Sequence, residues 1–458
     1  MAIVYGTFQR ESPACLPMLG ADPAQSIARR DGAAISRGQF LAHVNAVAAL
    51  LPRAPAAVNL CEDRYAFTVA FCAIMLRGQI NLLPSSRAPQ AIDEVMASHP
   101  GSYALGDQAI VPAPPGYRLL PALASHPAAD VSEFPPVPQI PASQVVAIGY
   151  TSGSTGSPTA HAKTWGNLHV GTTGNLAMLA ATLGDRFTVI ATVPAQHMYG
   201  IEMSVLLPLL GRIEVHAGRP LLPGDIAVAL AEVSAPRVLV TTPVHLRALV
   251  ESGIELPPLT GLVSATAPLP VALASLAERR FGAPLLEVFG STETCVFASR
   301  RPTVEERWTL YDGVQLHPHP DGTEVTAPQL DTPVQLADIV SLSDAGRRFV
   351  LRGRQADMLE IAGKRASLGD LTRRLLAIPG VDDAVVFQLE DGDAIGVRRI
   401  AALAVAPGLD EQLILDALRR AVDPLFLPRP LRLVDALPRN DAGKLPREAL
   451  LRLLAQHR

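Results

Sequence analysis

The string Tyr150-Thr151-Ser152-Gly153-Ser154-Thr155-Gly156-Ser157-Pro158 directly follows an apolar, β-branched run. Glycines let backbone N–H groups approach an anion closely, and Ser and Thr hydroxyls add donors, so such a loop can wrap phosphate. It is not a Walker loop, because the GxxxxGK[ST] spacing is absent. A generic Gly/Ser cluster is more often a surface loop, but the complete string behind a buried strand favours the anion. A second signal is compositional. The 39 basic residues comprise 36 Arg and only three Lys, at Lys163, Lys364 and Lys444. In a chain that uses Arg wherever either residue serves, a surviving lysine is a candidate for work that needs a compact ammonium rather than a planar fork.

These residues need a scaffold. From about Val145 onward, short β-branched runs alternate with helical patterns. Strands are expected at 145–150, 187–191, 237–240, 261–263 and 285–289, with helices at 167–183, 225–234, 243–252 and 270–281. That alternation predicts α/β architecture: a large N-terminal domain with mostly parallel, helix-covered sheets. The first 110 residues read as less regular, although 66–76 followed by 78–84 resembles a helix turning into a strand. Nine prolines between Val111 and Pro141 argue for a surface loop or a linker, the loop being favoured because the next strand continues one sheet. A boundary is expected near Gly353-Arg354. It separates residues 1–352, a large α/β unit, from 353–458, a small α+β unit with helices at 368–378, 411–422 and 447–456 and strands at 384–389 and 400–405.

Composition sets outer limits. A net charge of −4 gives no general attraction to nucleic acid or anionic lipid, and 48% hydrophobic with 18% charged residues rules out global disorder. No signal peptide is legible in the first 20 residues, and no apolar stretch reaches the roughly 18 residues of a membrane span. The four cysteines form no CxxC pair and are too sparse for a disulfide framework, so a cytoplasmic enzyme is expected.

Several segments together resemble the adenylate-forming (ANL) superfamily, which contains acyl- and aryl-CoA ligases, peptide-synthetase adenylation domains and luciferases. Tyr150–Pro158 resembles its phosphate loop. Val193-Pro194-Ala195-Gln196-His197-Met198-Tyr199-Gly200 is similar to the segment bordering the carboxylate pocket, and Ser264-Ala265-Thr266-Ala267-Pro268-Leu269 to the loop beside adenine. Phe289-Gly290-Ser291-Thr292-Glu293-Thr294 is close to the aromatic-Gly-x-Thr-Glu signature. Ala337-Asp338 matches the ribose-binding aspartate, Gly353–Asp357 the hinge, and Leu437–Arg447 the C-terminal lysine loop.

The resemblance implies a role for each position. Thr151, Ser152, Gly153, Ser154, Thr155 and Gly156 would hold the β- and γ-phosphates of ATP. Thr292 would donate to the α-phosphate and Glu293 would hold Mg²⁺. Ala265, Thr266, Phe289, Gly290 and Ser291 would line the adenine site, and Asp338 and Arg354 would fix the ribose. His197, Met198 and Tyr199 would border the acid. Lys444 would reach between the carboxylate and the α-phosphate as they react. Gly363 and Lys364 would line a pantetheine channel, an exposed surface lysine being an equal alternative for Lys364. The implied partners are a small carboxylic acid and the thiol of coenzyme A or an acyl carrier protein, because none of the four cysteines sits where a nucleophile is required.

The chain departs from the family pattern at three points. The phosphate loop usually ends Pro-Lys, whereas Pro158 is followed by Thr159; Lys163 is expected either to bend back and supply that charge or to be exposed. Ala356 occupies a hinge position that normally bears Asp or Lys, and Asp357 is a candidate substitute. Met198 stands where ligases of 2-hydroxybenzoates carry Asn, and it cannot donate to an ortho hydroxyl. The expected acid is therefore 3- or 4-hydroxybenzoate, as in ligases of aryl-polyene pigment pathways. The alternatives are an enzyme that stops at the acyl-adenylate and a non-catalytic scaffold binding a nucleotide or a carrier.

Overall fold

A computed structural model describes residues 14–20, 22, 24–123, 136–151, 159–319, 322–354, 358–361, 364–392, 398–422, 424–440 and 443–456. Its largest element is an 11-stranded sheet. Strands Ser26–Arg30, Glu214–His216, Thr188–Ala191, Arg237–Thr241, Gly261–Ser264 and Leu285–Ser291 run parallel through its middle. Beyond them Cys295–Arg300, Trp308–Leu310, Arg348–Arg354 and Asp338–Ser343 continue it antiparallel. A second sheet of six strands has a parallel core of Val145–Thr151, Ile80–Leu83, Ala56–Asn59 and Tyr103–Gly106. The mixed α/β architecture expected from strand and helix spacing is the one observed.

Apolar periodicity explains how the sheets meet. The helix Arg64–Leu76 is apolar on every side, and all of it except Leu76 is buried. A helix of that kind has no solvent face and must lie inside. Together with Arg37–Leu50 it contributes to one core shared by residues of both sheets, among them Val146, Val189, Val215 and Val263. Asp63 caps its start, accepting from Ala66 N at 2.7 Å. The first 110 residues are thus more regular than their sequence suggests, with helices Arg37–Leu50, Arg64–Leu76 and Pro89–Ala97. The signal of Arg37–Leu50 is faint because an Ala-rich helix carries little amphipathic contrast, whereas the helix expected over 66–76 is found as Arg64–Leu76. Val145–Thr151 pairs with Ile80–Leu83, so the proline-rich stretch before it leads back into a single sheet.

The C-terminal residues form a smaller sheet, Asp383–Gly392, Arg398–Val405 and Leu431–Leu433. Alternate residues face opposite sides: Val386, Ala402 and Ala404 pack on the helices Leu368–Leu376 and Glu411–Ala421. Phe387, Ala401 and Leu403 face the last helix, Arg447–Gln456, through Leu450 and Leu454. Both faces are covered, so this unit has its own core. Among the described residues no helix is long and apolar enough to cross a membrane, and the four cysteines are unbridged.

Candidate active site

Thr151, the segment 192–199, Ala265–Thr266 and Ser291 lie at or beyond the carboxyl ends of parallel strands, whereas Asp338 and Arg354 come from an antiparallel pair and Lys444 from a C-terminal loop. The carboxyl ends of the parallel strands are where the rows of side chains diverge and open a crevice. The hairpin Val145–Thr151 and Thr159–Thr164 brings Thr151 opposite Thr159 and carries the phosphate-loop candidates between its arms. Ser152, Gly153, Ser154, Thr155 and Gly156 lie outside the described residues. At the base of that loop Thr151 Oγ1 is 3.1 Å from His161 Nε2.

Facing the hairpin is the turn Ser291–Thr294. Ser291 N donates to Thr294 Oγ1 at 3.1 Å and Thr294 N donates to Ser291 Oγ at 3.3 Å, which closes the turn on itself. Only glycine fits at residue 290, because a β-carbon there would sit 2.2 Å from Cys295 O. Burial works to raise the Glu293 carboxyl. A hydrogen bond from Ser291, its own backbone N–H and the charges of His161 and Lys163 outweigh burial and hold it below the ordinary carboxylate range. Glu293 is therefore an anion held in place.

Thr292 meets the acid-pocket candidates at Gly149. A β-carbon on Gly149 would lie 2.8 Å from Thr292 Cγ2 and 3.6 Å from Met198 Cε. Tyr150, Gln196, His197, Met198 and Thr292 line a cleft of about 260 Å³ there. Tyr199 turns inward: its hydroxyl donates to Val263 O at 3.0 Å and reaches Thr241 O at 3.2 Å, so its ring is wall and its oxygen is already engaged. Two arginines that sequence reasoning did not single out brace this segment. Arg64, fully buried, donates to Ala191 O at 2.8 Å, Val193 O at 2.7 Å and the Ser204 hydroxyl. Burial and the charge of Arg219 bring its pKa down to about 9. Arg87 donates to Gln196 Oε1 and to Cys61 O.

On the opposite side of the crevice, Ala265 is buried and Thr266 is exposed with a φ of 82°, a left-handed conformation uncommon for threonine. The Phe289 ring packs against Phe297, Trp308 and Phe349 at 5.3–5.7 Å between centroids, which fixes its plane. Asp338 and Arg354 are cross-strand partners, which brings both ribose candidates to one edge. Lys444 is exposed in a loop closed by Asn440, whose N–H donates to Lys444 O at 2.8 Å and whose Oδ1 accepts from Lys444 N at 2.9 Å. This loop reaches the crevice. A β-carbon on Gly443 would be 3.8 Å from Val244 Cγ2 and 3.9 Å from Thr266 Oγ1.

Lys163 follows neither sequence expectation. It is buried, 4% exposed, and donates to Glu293 O at 2.6 Å. Strand alternation between Thr159 and Thr164 turns its side chain into the core, away from the loop it was expected to serve. Lys364 begins the strand Lys364–Ser367, paired with Met358–Ile361. Gly363, Ala356 and Asp357 lie outside the described residues.

Two α/β layers open a crevice at the strand ends, and a small α+β unit touches its rim. The family described as AMP-binding enzyme matches residues 22–327, and the chain belongs to it. It is 32% identical over 318 residues to 4-coumarate–CoA ligase of Halorhodospira halophila, covering 64% of this chain and 73% of that one. Malonate–CoA ligase ACSF3 of Homo sapiens is 24% identical across 86% of this chain and 82% of its own. Among solved structures, o-succinylbenzoate CoA synthetase from Bacillus subtilis with its acyl-adenylate superposes with a TM-score of 0.75 at 18% identity, covering 93% of this chain and 95% of that one. ATP-bound MatB from Rhodopseudomonas palustris gives 0.76 at 19%, over 95% and 96%. The protein is an ATP-using, adenylate-forming ligase of the acid–CoA ligase type.

Proposed function

We propose that the enzyme activates an aromatic acid, 3- or 4-hydroxybenzoate, as its acyl-AMP and then passes the acyl group to the phosphopantetheine thiol of an acyl carrier protein or coenzyme A. In the first step a carboxylate oxygen attacks the α-phosphorus of ATP and pyrophosphate leaves. In the second a thiolate attacks the acyl carbonyl and AMP leaves. Both partners of the first step are anions, so the barrier is largely electrostatic, and positioned donors and cations lower it.

The observation that carries this reading is the convergence of the Thr292–Glu293 turn, the His197–Met198 pocket and the loop of Lys444 on one crevice. Lys444 supplies an ammonium between the reacting oxyanions, and Thr292 donates to the α-phosphate. Asp338 and Arg354 hold the ribose, and Phe289 sits beside adenine. Mg²⁺ fits the donor set at Glu293. Among the described residues no cluster of three or more His, Cys, Asp or Glu side chains could cage a metal. A single ionised carboxylate beside a phosphate loop is how Mg²⁺ is usually held, since phosphate oxygens and waters complete its shell. Bound there, the ion would neutralise polyphosphate charge.

Met198 supports an acid without an ortho hydroxyl, because a thioether in the cleft offers no proton to it. Lys364 and Gly363 are assigned to the pantetheine path, with a carrier protein as the favoured donor of the thiol. The four free cysteines suit a reducing, cytoplasmic setting. ATP–pyrophosphate exchange with a panel of benzoates, malonate and 4-coumarate tests the acid. Faster exchange with salicylate than with 3-hydroxybenzoate rejects the specificity, and the absence of exchange with every acid rejects the enzyme. Mass spectrometry of carrier protein and coenzyme A after reaction identifies the acceptor, and an untouched thiol in both leaves an enzyme that stops at the adenylate.

A further inference from the structure

The main chain of residues 293–296 is held by three side chains from elsewhere in the chain rather than by sheet ladder alone. Glu293 O accepts from Lys163 Nζ at 2.6 Å. Thr294 O accepts from Gln329 Nε2 at 3.4 Å. Val296 N donates to both Glu202 oxygens at 3.1 and 3.0 Å. Glu202 also accepts from Asn175 Nδ2 at 3.1 Å, and Asn175 Oδ1 accepts from the Tyr311 hydroxyl at 3.1 Å. Cys295, the residue between these anchored groups, has a φ of 59°. A non-glycine residue in that region is strained and persists only where the surroundings over-determine it.

Two of these anchors are ionisable groups in the interior. Lys163 is 4% exposed and Glu202 2%, and the charge of Lys163 offsets part of the burial that raises the Glu202 carboxyl. Burying an ammonium is costly, and a neutral donor would satisfy one carbonyl at less expense. A cation here does more than fill a gap, because a charge-assisted bond is shorter and stiffer than a neutral one. The bonded carbonyl belongs to Glu293 itself. The compact ammonium serves a single carbonyl, whereas the buried guanidinium of Arg64 spreads over three acceptors.

We propose that Lys163 is the positioning residue that fixes the Thr292–Glu293 turn for Mg²⁺ and the polyphosphate, with Glu202 holding the strand that follows. Lys163 grips the turn from beneath, and Glu202 grips the strand that leaves it. Glu202 also lies one helical turn beyond Met198, so the same pair ties the wall of the acid pocket to the turn that receives ATP. This inference rests on the reading that Glu293 holds Mg²⁺.

Three variants in the full chain test it: Lys163→Met, Lys163→Met with Glu202→Gln, and Glu293→Gln. Each is assayed for exchange kinetics, for calorimetric binding of ATP at several Mg²⁺ concentrations, and for calorimetric binding of AMP, which lacks the β- and γ-phosphates. Lys163→Met should raise the Mg²⁺ requirement for ATP binding about 10- to 100-fold, the usual cost of losing a group that orients a metal ligand. AMP affinity should change less than about twofold. The double variant removes the stranded carboxylate charge and should recover thermal stability while keeping the Mg²⁺ defect, so it remains informative if the single variant fails to fold. A normal Mg²⁺ requirement in a folded Lys163 variant, beside a raised one in Glu293→Gln, overturns the positioning role alone. Equal losses for AMP and ATP overturn it as well, since they mark a merely structural lysine. A normal Mg²⁺ requirement in Glu293→Gln overturns the assignment of Glu293 and the inference built on it.

Discussion

Two short turns carry the charges that matter here, and they are built in opposite ways. The Glu293 turn is anchored from below by buried side chains of the large unit, with Lys163 and Glu202 both nearly inaccessible. The Lys444 loop is braced from within its own small unit. Arg439 forks onto Asp383 at 2.7 and 3.0 Å and donates to Gly443 O at 2.9 Å, while Asn440 closes the loop. The first is fixed to the body of the protein, and the second is fixed only to its carrier. A group that receives ATP benefits from a stationary mount. Under the proposed role of Lys444, a brace within its own unit keeps the loop's shape whatever position that unit takes.

The sharpest way to break this contrast is Lys444→Ala. Adenylation should fall on the order of 10²–10³-fold, as for loss of one donor to a developing oxyanion. Unfolding temperature and AMP affinity should not move, because the side chain is exposed and lies at the rim. Near-normal exchange would remove the lysine from the reaction. The corresponding probe of the buried mount is Glu202→Gln. Burial pushes the Glu202 carboxyl from 4.5 up to about 7, against the hydrogen bonds from Val296 and Asn175 and the charge of Lys163. A raised folded-state value means that stabilisation is complete below the unfolded value and is lost as pH climbs through 7. Chemical unfolding of wild type and variant at about pH 4 and about pH 8 should therefore diverge by on the order of 3 kcal/mol, the wild type being the one that weakens at the higher pH.

Smaller effects should follow at the brace and in the pocket. Arg439→Ala frees the Lys444 loop from Asp383 and should lower kcat for adenylation roughly tenfold with little change in KM for ATP, because only positioning is lost. Arg439→Lys should recover part of it, since an ammonium can keep one of the two bonds to Asp383. A KM effect instead would mean that the loop contacts ATP in the ground state. Met198→Asn should shift kcat/KM toward salicylate by about tenfold relative to 3-hydroxybenzoate. An unchanged ratio would move the specificity determinant away from Met198.

Much of this was legible in the residues. The strands expected from Val145 onward were found with ends displaced by a residue or two, because buried parallel strands announce themselves as apolar β-branched runs. The turn Ser291–Thr294 and the lysine loop were readable because short polar strings with glycine at fixed offsets have few uses. Lys163 was flagged by its rarity, yet its role was misjudged. Glu202, a single acid within the apolar run 198–210, was overlooked although that isolation was itself a signal. The helix expected over 66–76 was found, whereas Arg37–Leu50 went unread for want of amphipathic contrast.

The sequence by itself determined which residues could do chemistry, the order in which they come, and the element on which each is carried. Those properties are local, set by periodicity and side-chain type. Only the tertiary structure decided which of them face one another: that Gly443 rests against Thr266, that Asp338 pairs with Arg354, and that Lys163 grips Glu293 from inside the core. The reason is physical. A strand's two faces are interchangeable until a neighbouring element buries one of them, and distances between residues far apart in the chain are set by packing, which no local pattern encodes.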